Sequence, residues 1–234
     1  MDAKRGKVFS KLSKEISIAA KSGGDPNGNP RLRSAILAAR AVSMPGDNIE
    51  RAIKRGTGEG TEGQHFDEII YEGYAPGGVA VIVETATDNK NRTAAEIRSI
   101  FTKNHGNLAS SGSVSYMFHR KGQIAVPRSS MAEDKIFELA LEAGAEELTN
   151  EEEAYLIATA PDQLYAVAEA LKNAGVTIES QKFTFIPDTT ITVGDEAVAH
   201  QVLRLCDALE DDDDVQNVYS NLEIADEVLA KLPV

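Results

Sequence analysis

With one cysteine, no tryptophan and four histidines in 234 residues, the chain has little material for several kinds of chemistry. Cys206 has no second thiol with which to close an internal disulfide, and it stands among Val202, Leu203, Leu205 and Leu209, the company of a buried structural cysteine. His65, His105, His119 and His200 are scattered, with no i, i+4 partner and no neighbouring cysteine, so they do not form a zinc ligand set. A Gly-x-Ser-x-Gly elbow is missing, and Ser110 to Ser113 reads as a turn before a strand rather than a nucleophile. Enzymatic chemistry, a cofactor and a small-molecule substrate are therefore not expected. No apolar run nears the roughly 18 residues that a membrane helix needs, and no signal-like segment opens the chain, which leads to the expectation of a cytoplasmic protein without a membrane partner.

What is present is a core and a strong separation of charge. Hydrophobic residues make up 42% of the chain, enough for one large domain or several small ones. The net charge of −13 would repel a polyanion, but residues 1–60 hold 12 Lys and Arg against 6 Asp and Glu, while residues 61–234 hold 12 against 31. Such asymmetry suggests a nucleic-acid-facing end joined to an acidic, solvating or protein-facing bulk.

Hydrophobic spacing predicts a helix from about Asp2 to Lys21 (Phe9, Leu12, Ile16), a breaker-rich loop over 22–30, and a second helix from Arg31 to Val42. A third follows Pro45. Asp47 with Glu50 forms a capping-box spacing, Gly56 and Gly58 supply the stop, and Ile49, Ala52 and Ile53 give an apolar back to a front of Asn48, Arg51, Lys54 and Arg55. Gly56 to Gly63 reads as a flexible linker, because a phosphate-binding glycine loop opens a helix whereas this one closes one.

From Phe66 the period becomes strand-like. Phe66–Tyr74 and Val79–Thr87 form a hairpin around Ala75-Pro-Gly-Gly78; Thr93 and Glu96 suggest a second capping box, on a helix ending near Gly106. Ser113–His119 and Gln123–Val126 read as strands on either side of Arg120-Lys-Gly122. The order from Gly122 to Lys182 is that of a split β-α-β unit. Thr184–Val193, a helix over Asp195–Leu209 and a strand over Val215–Ile224 then complete what was left open at Phe118. The expected fold is multidomain α+β: a three-helix bundle over 1–60 followed by two ferredoxin-like α/β sandwich domains, one discontinuous over 64–121 plus 183–234 and the other over 122–182 inserted in it. The acidic runs Asp211–Asp214 and Glu151–Glu153 read as solvated loops, since a calcium loop spaces its carboxylates around a turn. At Asp88 to Thr93, Lys90, Asn91 and Arg92 gather at a helix start whose free amides favour an anion.

Taken together, Asp2-Ala-Lys-Arg-Gly-Lys7, Gly23-Gly-Asp-Pro26, Asn29-Pro-Arg-Leu-Arg33, Met44 through Gly58, Tyr71-Glu-Gly-Tyr74 with Pro76-Gly-Gly78, Thr87 through Glu96, and Gly112-Ser-Val-Ser-Tyr-Met-Phe118 resemble the signatures of the YebC family, which includes mitochondrial translational activators of cytochrome oxidase subunit one. The resemblance spans nearly the whole chain. It implies a helical domain, two α/β domains around a cleft, and a non-enzymatic role in gene expression, assigned in the family either to DNA-binding transcriptional regulation or to translation on ribosomes stalled at proline runs. The family's usual start carries a basic arm with a His-Ser-Lys-Trp stretch; here Met1 directly precedes Asp2, so contacts of such an arm are not carried over. The leading expectation is a monomeric nucleic-acid-binding regulator whose phosphate contacts come from Lys4, Arg5, Lys7, Lys11, Arg51, Lys54 and Arg55, with Lys90 and Arg92 as a second patch. DNA and ribosomal RNA, with the ribosome behind the latter, are alternative partners. The rival of a different class is a protein-interaction module using an acidic cleft between domains.

Overall fold

The computed structural model describes residues 2–59 and 65–231, with side chains from residue 5 onward. The side chain of Lys4 and the 60–63 part of the expected linker lie outside the described residues. The chain divides into two compact units, residues 1–118 with 187–234, and residues 119–186.

The first unit begins with α1 (Asp2–Ala20), α2 (Pro30–Ala41) and α3 (Gly46–Thr57). Their apolar stripes meet at Ile16, Ala19, Leu32, Ile36, Ala39 and Ile49. Asn29 starts α2 by accepting from the Leu32 amide at 3.0 Å, and its own amide group donates to the Ala19 carbonyl at 2.7 Å, tying the loop back to α1. The capping box expected at Asp47 is not formed. The N-cap is Pro45 and it makes no side-chain cap bond, because the helix begins at Gly46 and puts Asp47 inside its first turn, where a carboxylate still favours the helix dipole. The stop falls at Gly58, in the left-handed region at φ 80°. Gly56 is helical for a different reason: a Cβ there would lie 2.2 Å from the Ser17 carbonyl oxygen, so α3 approaches α1 as closely as backbone allows.

Next come β1 (Asp67–Tyr74) and β2 (Ala80–Thr87), the expected hairpin, then α4 (Lys90–Lys103) and the short β3 (Asn107–Leu108). α4 starts a turn earlier than the Thr93 spacing suggested, with Asn89 as its cap. β2 is buried on both faces, as its run Ala-Val-Ile-Val predicts. Val81 and Val83 pack with Ile97, Phe101, Val202 and Leu205, while Ala86 packs with Ile18 of α1. Side chains buried this fully contribute roughly 1.5–3 kcal/mol each.

The second unit is built on β4 (Phe118–Pro127), α5 (Glu133–Glu142), β5 (Glu147–Asn150), β6 (Ala154–Thr159), α6 (Leu164–Asn173) and β7 (Ser180–Pro187). Its sheet order is β5-β6-β4-β7, that of a split β-α-β sandwich. β4 is one strand straight through Arg120-Lys-Gly122, not two strands around a turn, because Gly122 pairs with Thr159 within the ladder. The chain then returns to the first unit as β8 (Ile191–Val193), α7 (Glu196–Glu210), β9 (Val215–Ser220), β10 (Leu222–Ile224) and α8 (Asp226–Leu229). β9 joins β2, giving the sheet β3-β1-β2-β9, and β10 pairs in parallel with β8. The single strand expected over Val215–Ile224 breaks at Asn221, whose side-chain oxygen accepts from the Ala80 amide at 2.8 Å.

Candidate nucleic-acid interface

The lysines of α1 at i, i+4 and i+7 face the end of α7. Lys7 Nζ donates to Asp211 Oδ1 at 2.9 Å and to its carbonyl at 3.0 Å; Lys11 donates to the Glu210 carbonyl at 2.8 Å; Lys14 donates to the Asp213 carbonyl at 2.7 Å and to Asp214 Oδ1 at 2.6 Å. A helix C-terminus leaves its last carbonyls unpaired and carries partial negative charge, and α7 has no basic residue of its own in the last turn. α1 supplies the missing cations.

At the end of this ladder sits Asp214, read from sequence as part of a solvated loop and found 4% exposed. Besides Lys14 it accepts from Arg92 Nη2 at 2.7 Å and from the Thr93 hydroxyl at 2.7 Å, with the Thr87 hydroxyl 3.2 Å away. Burial alone would raise its carboxyl, but the bonds from Arg92, Lys14 and Thr93 outweigh that and hold it at about 2. The bond to Asp214 in turn raises Arg92, which also reaches Asp88 at 3.0 Å. At the start of α4 the protein's own Asp214 is held by the Arg92 guanidinium and the Thr93 hydroxyl, while the amides of Arg92 and Thr93 are bonded to Asn89. The signal of this arrangement in the sequence is the 7-11-14 lysine spacing on α1, which matches an acidic partner, together with the place of Asp214 directly before a buried strand residue, Val215.

The remaining expected contacts are placed differently. Lys90 makes an exposed pair with Asp67 at 3.3 Å. Arg51 is exposed and, among the described residues, bonds only its own helix, at Asn48 Oδ1 and, at 3.2 Å, at the Asp47 carbonyl. Lys54 is exposed with no partner among the described residues. Arg55 lies over the Phe66 ring and Arg5 over Phe9, at 5.7 and 5.3 Å from the ring centres. Arg51, Lys54 and Arg55 share one face of α3 by spacing. Arg33 and Arg40 of α2, not singled out from sequence, are exposed and likewise have no carboxylate partner among the described residues. Arg31, by contrast, is fixed between Glu15 at 2.8 Å and Glu68 at 2.6 Å.

Two further groups define what the first unit can and cannot do. Glu72, 4% exposed, accepts from the amides of Gly112, Val114 and Ser115 at 2.7, 2.7 and 2.8 Å; these bonds lower its carboxyl against the opposing pull of burial and fix the loop before β4. Glu96, Asp212 and Asp214 bring carboxylate oxygens within 4.8 Å of one another, but Asp214 already serves two cations, so the donor set suits internal charge balance better than a metal.

Comparison with known proteins returns one consistent answer. A family model described as "TACO1/YebC protein N-terminal domain" matches residues 1–59, and one described as "TACO1/YebC second and third domain" matches residues 66–222. A protein of Persephonella marina named "Probable transcriptional regulatory protein" is 54% identical over 99% of this chain and 93% of its own length. One of Geobacter sulfurreducens, "Probable transcriptional regulatory protein GSU1074", is 56% identical over 99% and 93%. The crystal structure of the conserved hypothetical protein Aq1575 from Aquifex aeolicus is similar with a TM-score of 0.90 at 52% identity, over 97% of this chain and 94% of that one.

Proposed function

The chain belongs to the TACO1/YebC family, and from that premise we propose that it is a non-enzymatic regulator of gene expression that holds nucleic acid by its phosphates. The observation that carries the proposal is the outward face of α3, where Arg51 and Lys54 are exposed and have no carboxylate partner among the described residues. Arg5 and Arg55, whose charges rest on aromatic rings rather than on acids, extend this set, and the helical segment over 1–60 is the nucleic-acid end of the molecule. Lys7, Lys11, Lys90 and Arg92, already bonded within the chain, play the lesser part, and Lys4 joins the set from sequence alone. The names of the relatives point the same way and favour transcription.

A second reading has its own support. Asn48, the neutral side chain on this face best suited to read a base edge, is engaged by Arg51, which leaves cations that recognise phosphate without reading sequence. A large structured RNA such as ribosomal RNA suits that chemistry as well as duplex DNA does. Fluorescence anisotropy with a duplex DNA and with a ribosomal RNA fragment of equal charge tests both. The pair Arg51→Glu and Lys54→Glu is expected to weaken the true ligand roughly tenfold or more, since two phosphate contacts become repulsive. Unchanged affinity for both ligands contradicts the proposal.

A further inference from the structure

We infer that the flank of α5 is a docking surface for a basic amphipathic helical segment of another protein. Phe137 and Leu141 are 52% and 64% exposed on a ten-residue helix that already buries Ile136 and Ala140. Spacing of four places them on one ridge with Glu133. The carboxylate of Glu133 accepts from Asn150 Nδ2 at 2.7 Å, so the Glu133 end of the ridge is tied to the end of β5, which is the edge strand of its sheet. Two large apolar side chains one turn apart are what a helix face offers to a partner helix.

Charge identifies the partner. Residues 133–153, which carry the ridge and the edge strand tied to its start, hold nine carboxylates and one lysine, and Glu138, Glu142 and Glu147 are exposed. A polyanion is repelled there, and so is a second copy bringing the same ridge. A segment that places leucine-like residues on one face and lysines around them satisfies both features. This surface is independent of the cations on α3, so its test does not depend on nucleic-acid binding.

The test uses the full chain and an 18-residue peptide of leucine and lysine with leucines at i, i+3, i+4 and i+7, beside a peptide of the same composition in scrambled order. Amide shifts in NMR spectra are expected to map to α5 and β5 for the patterned peptide. Phe137→Ser with Leu141→Ser, both exposed and checked for folding by circular dichroism, is expected to weaken binding at least tenfold; Glu138→Lys with Glu142→Lys is expected to weaken it at least fivefold. Asp226→Lys with Glu227→Lys, an equal change of charge elsewhere, is expected to stay within twofold. Equal binding of the scrambled peptide, no loss in the serine variant, or equal loss in the distant charge variant overturns the inference. Sedimentation equilibrium showing a dimer of the chain that the serine variant dissolves also overturns it, since the occupant is then a second copy.

Discussion

Removing the charge of Asp214 probes the buried ion pair among the contacts that fasten the first helix to the rest of its unit. Its carboxyl moves from 3.8 in the unfolded chain to about 2 in the fold. At 1.36 kcal/mol per pH unit this is about 2 kcal/mol of stability. Because the folded value is the lower one, the contribution is complete above about pH 4 and disappears as the pH falls through about 2. Asp214→Asn keeps the shape but leaves the Lys14 ammonium, itself 8% exposed, facing a neutral amide. Losing one partner of a buried pair costs about 3–5 kcal/mol, and the surviving Asn carbonyl places the expected loss near the lower end, about 3 kcal/mol at pH 7. Adding Lys14→Met removes the stranded charge, so the double variant should recover about 2 kcal/mol relative to additivity. Urea unfolding followed by far-ultraviolet circular dichroism at pH 7 and pH 3, with hydrogen exchange of the α1 amides, reads these differences. If Asp214→Asn lies within 0.5 kcal/mol of the parent at pH 7, or if parent and variant lose stability in parallel below pH 4, the reasoning fails.

Other consequences follow from single contacts. Glu72→Ala leaves three amides without their acceptor, the Val114 amide buried and those of Gly112 and Ser115 partly so, and should cost about 2–3 kcal/mol, with faster hydrogen exchange at Gly112, Val114 and Ser115; unchanged exchange there contradicts the anchoring role. Gly56→Ala drives a methyl into the Ser17 carbonyl and should cost about 2–3 kcal/mol, measurable as a lower urea midpoint; an unchanged midpoint means that α1 and α3 part without strain. The Cys206 thiol is pushed up to about 11 by burial, with Glu210 and Asp207 adding to it, so Ellman's reagent at pH 8 should react only as the chain unfolds. Reaction at the rate of a free thiol refutes that.

Much of the architecture was legible because it is written in periodicity. α1, α2 and α7 fall within a residue or two of their expected bounds, and the hairpin follows from Ala75-Pro-Gly-Gly78. Helix starts were less legible: Asp47 and Thr93 have capping-box spacing, yet Pro45 and Asn89 begin the helices, Pro45 through its fixed backbone angle and Asn89 by accepting from the Arg92 amide with its side chain. Thr93 is instead a buried hydroxyl facing Asp214. The charged layer was the least legible part. Lys7, Lys11 and Arg92 look like open cations in a one-dimensional string; Arg92 has Asp88 one turn away, but Asp211, the Glu210 carbonyl and Asp214 lie 122 to 204 positions from the cations they bind, beyond the reach of any local pattern.

The salt dependence of nucleic-acid binding measures the central claim most directly. With Arg5, Arg51, Lys54 and Arg55 as the phosphate-contacting cations, none of them paired with a carboxylate among the described residues, about four phosphates are neutralised, and log affinity should fall with log salt at a slope of roughly −3 to −4 on duplex DNA. Reversing Arg51 and Lys54 should reduce that slope by about two, while Lys7→Ala, whose charge is spent on Asp211, should change it by less than about one. A slope near zero, or a loss that follows Lys7 and leaves Arg51 and Lys54 without effect, contradicts the account.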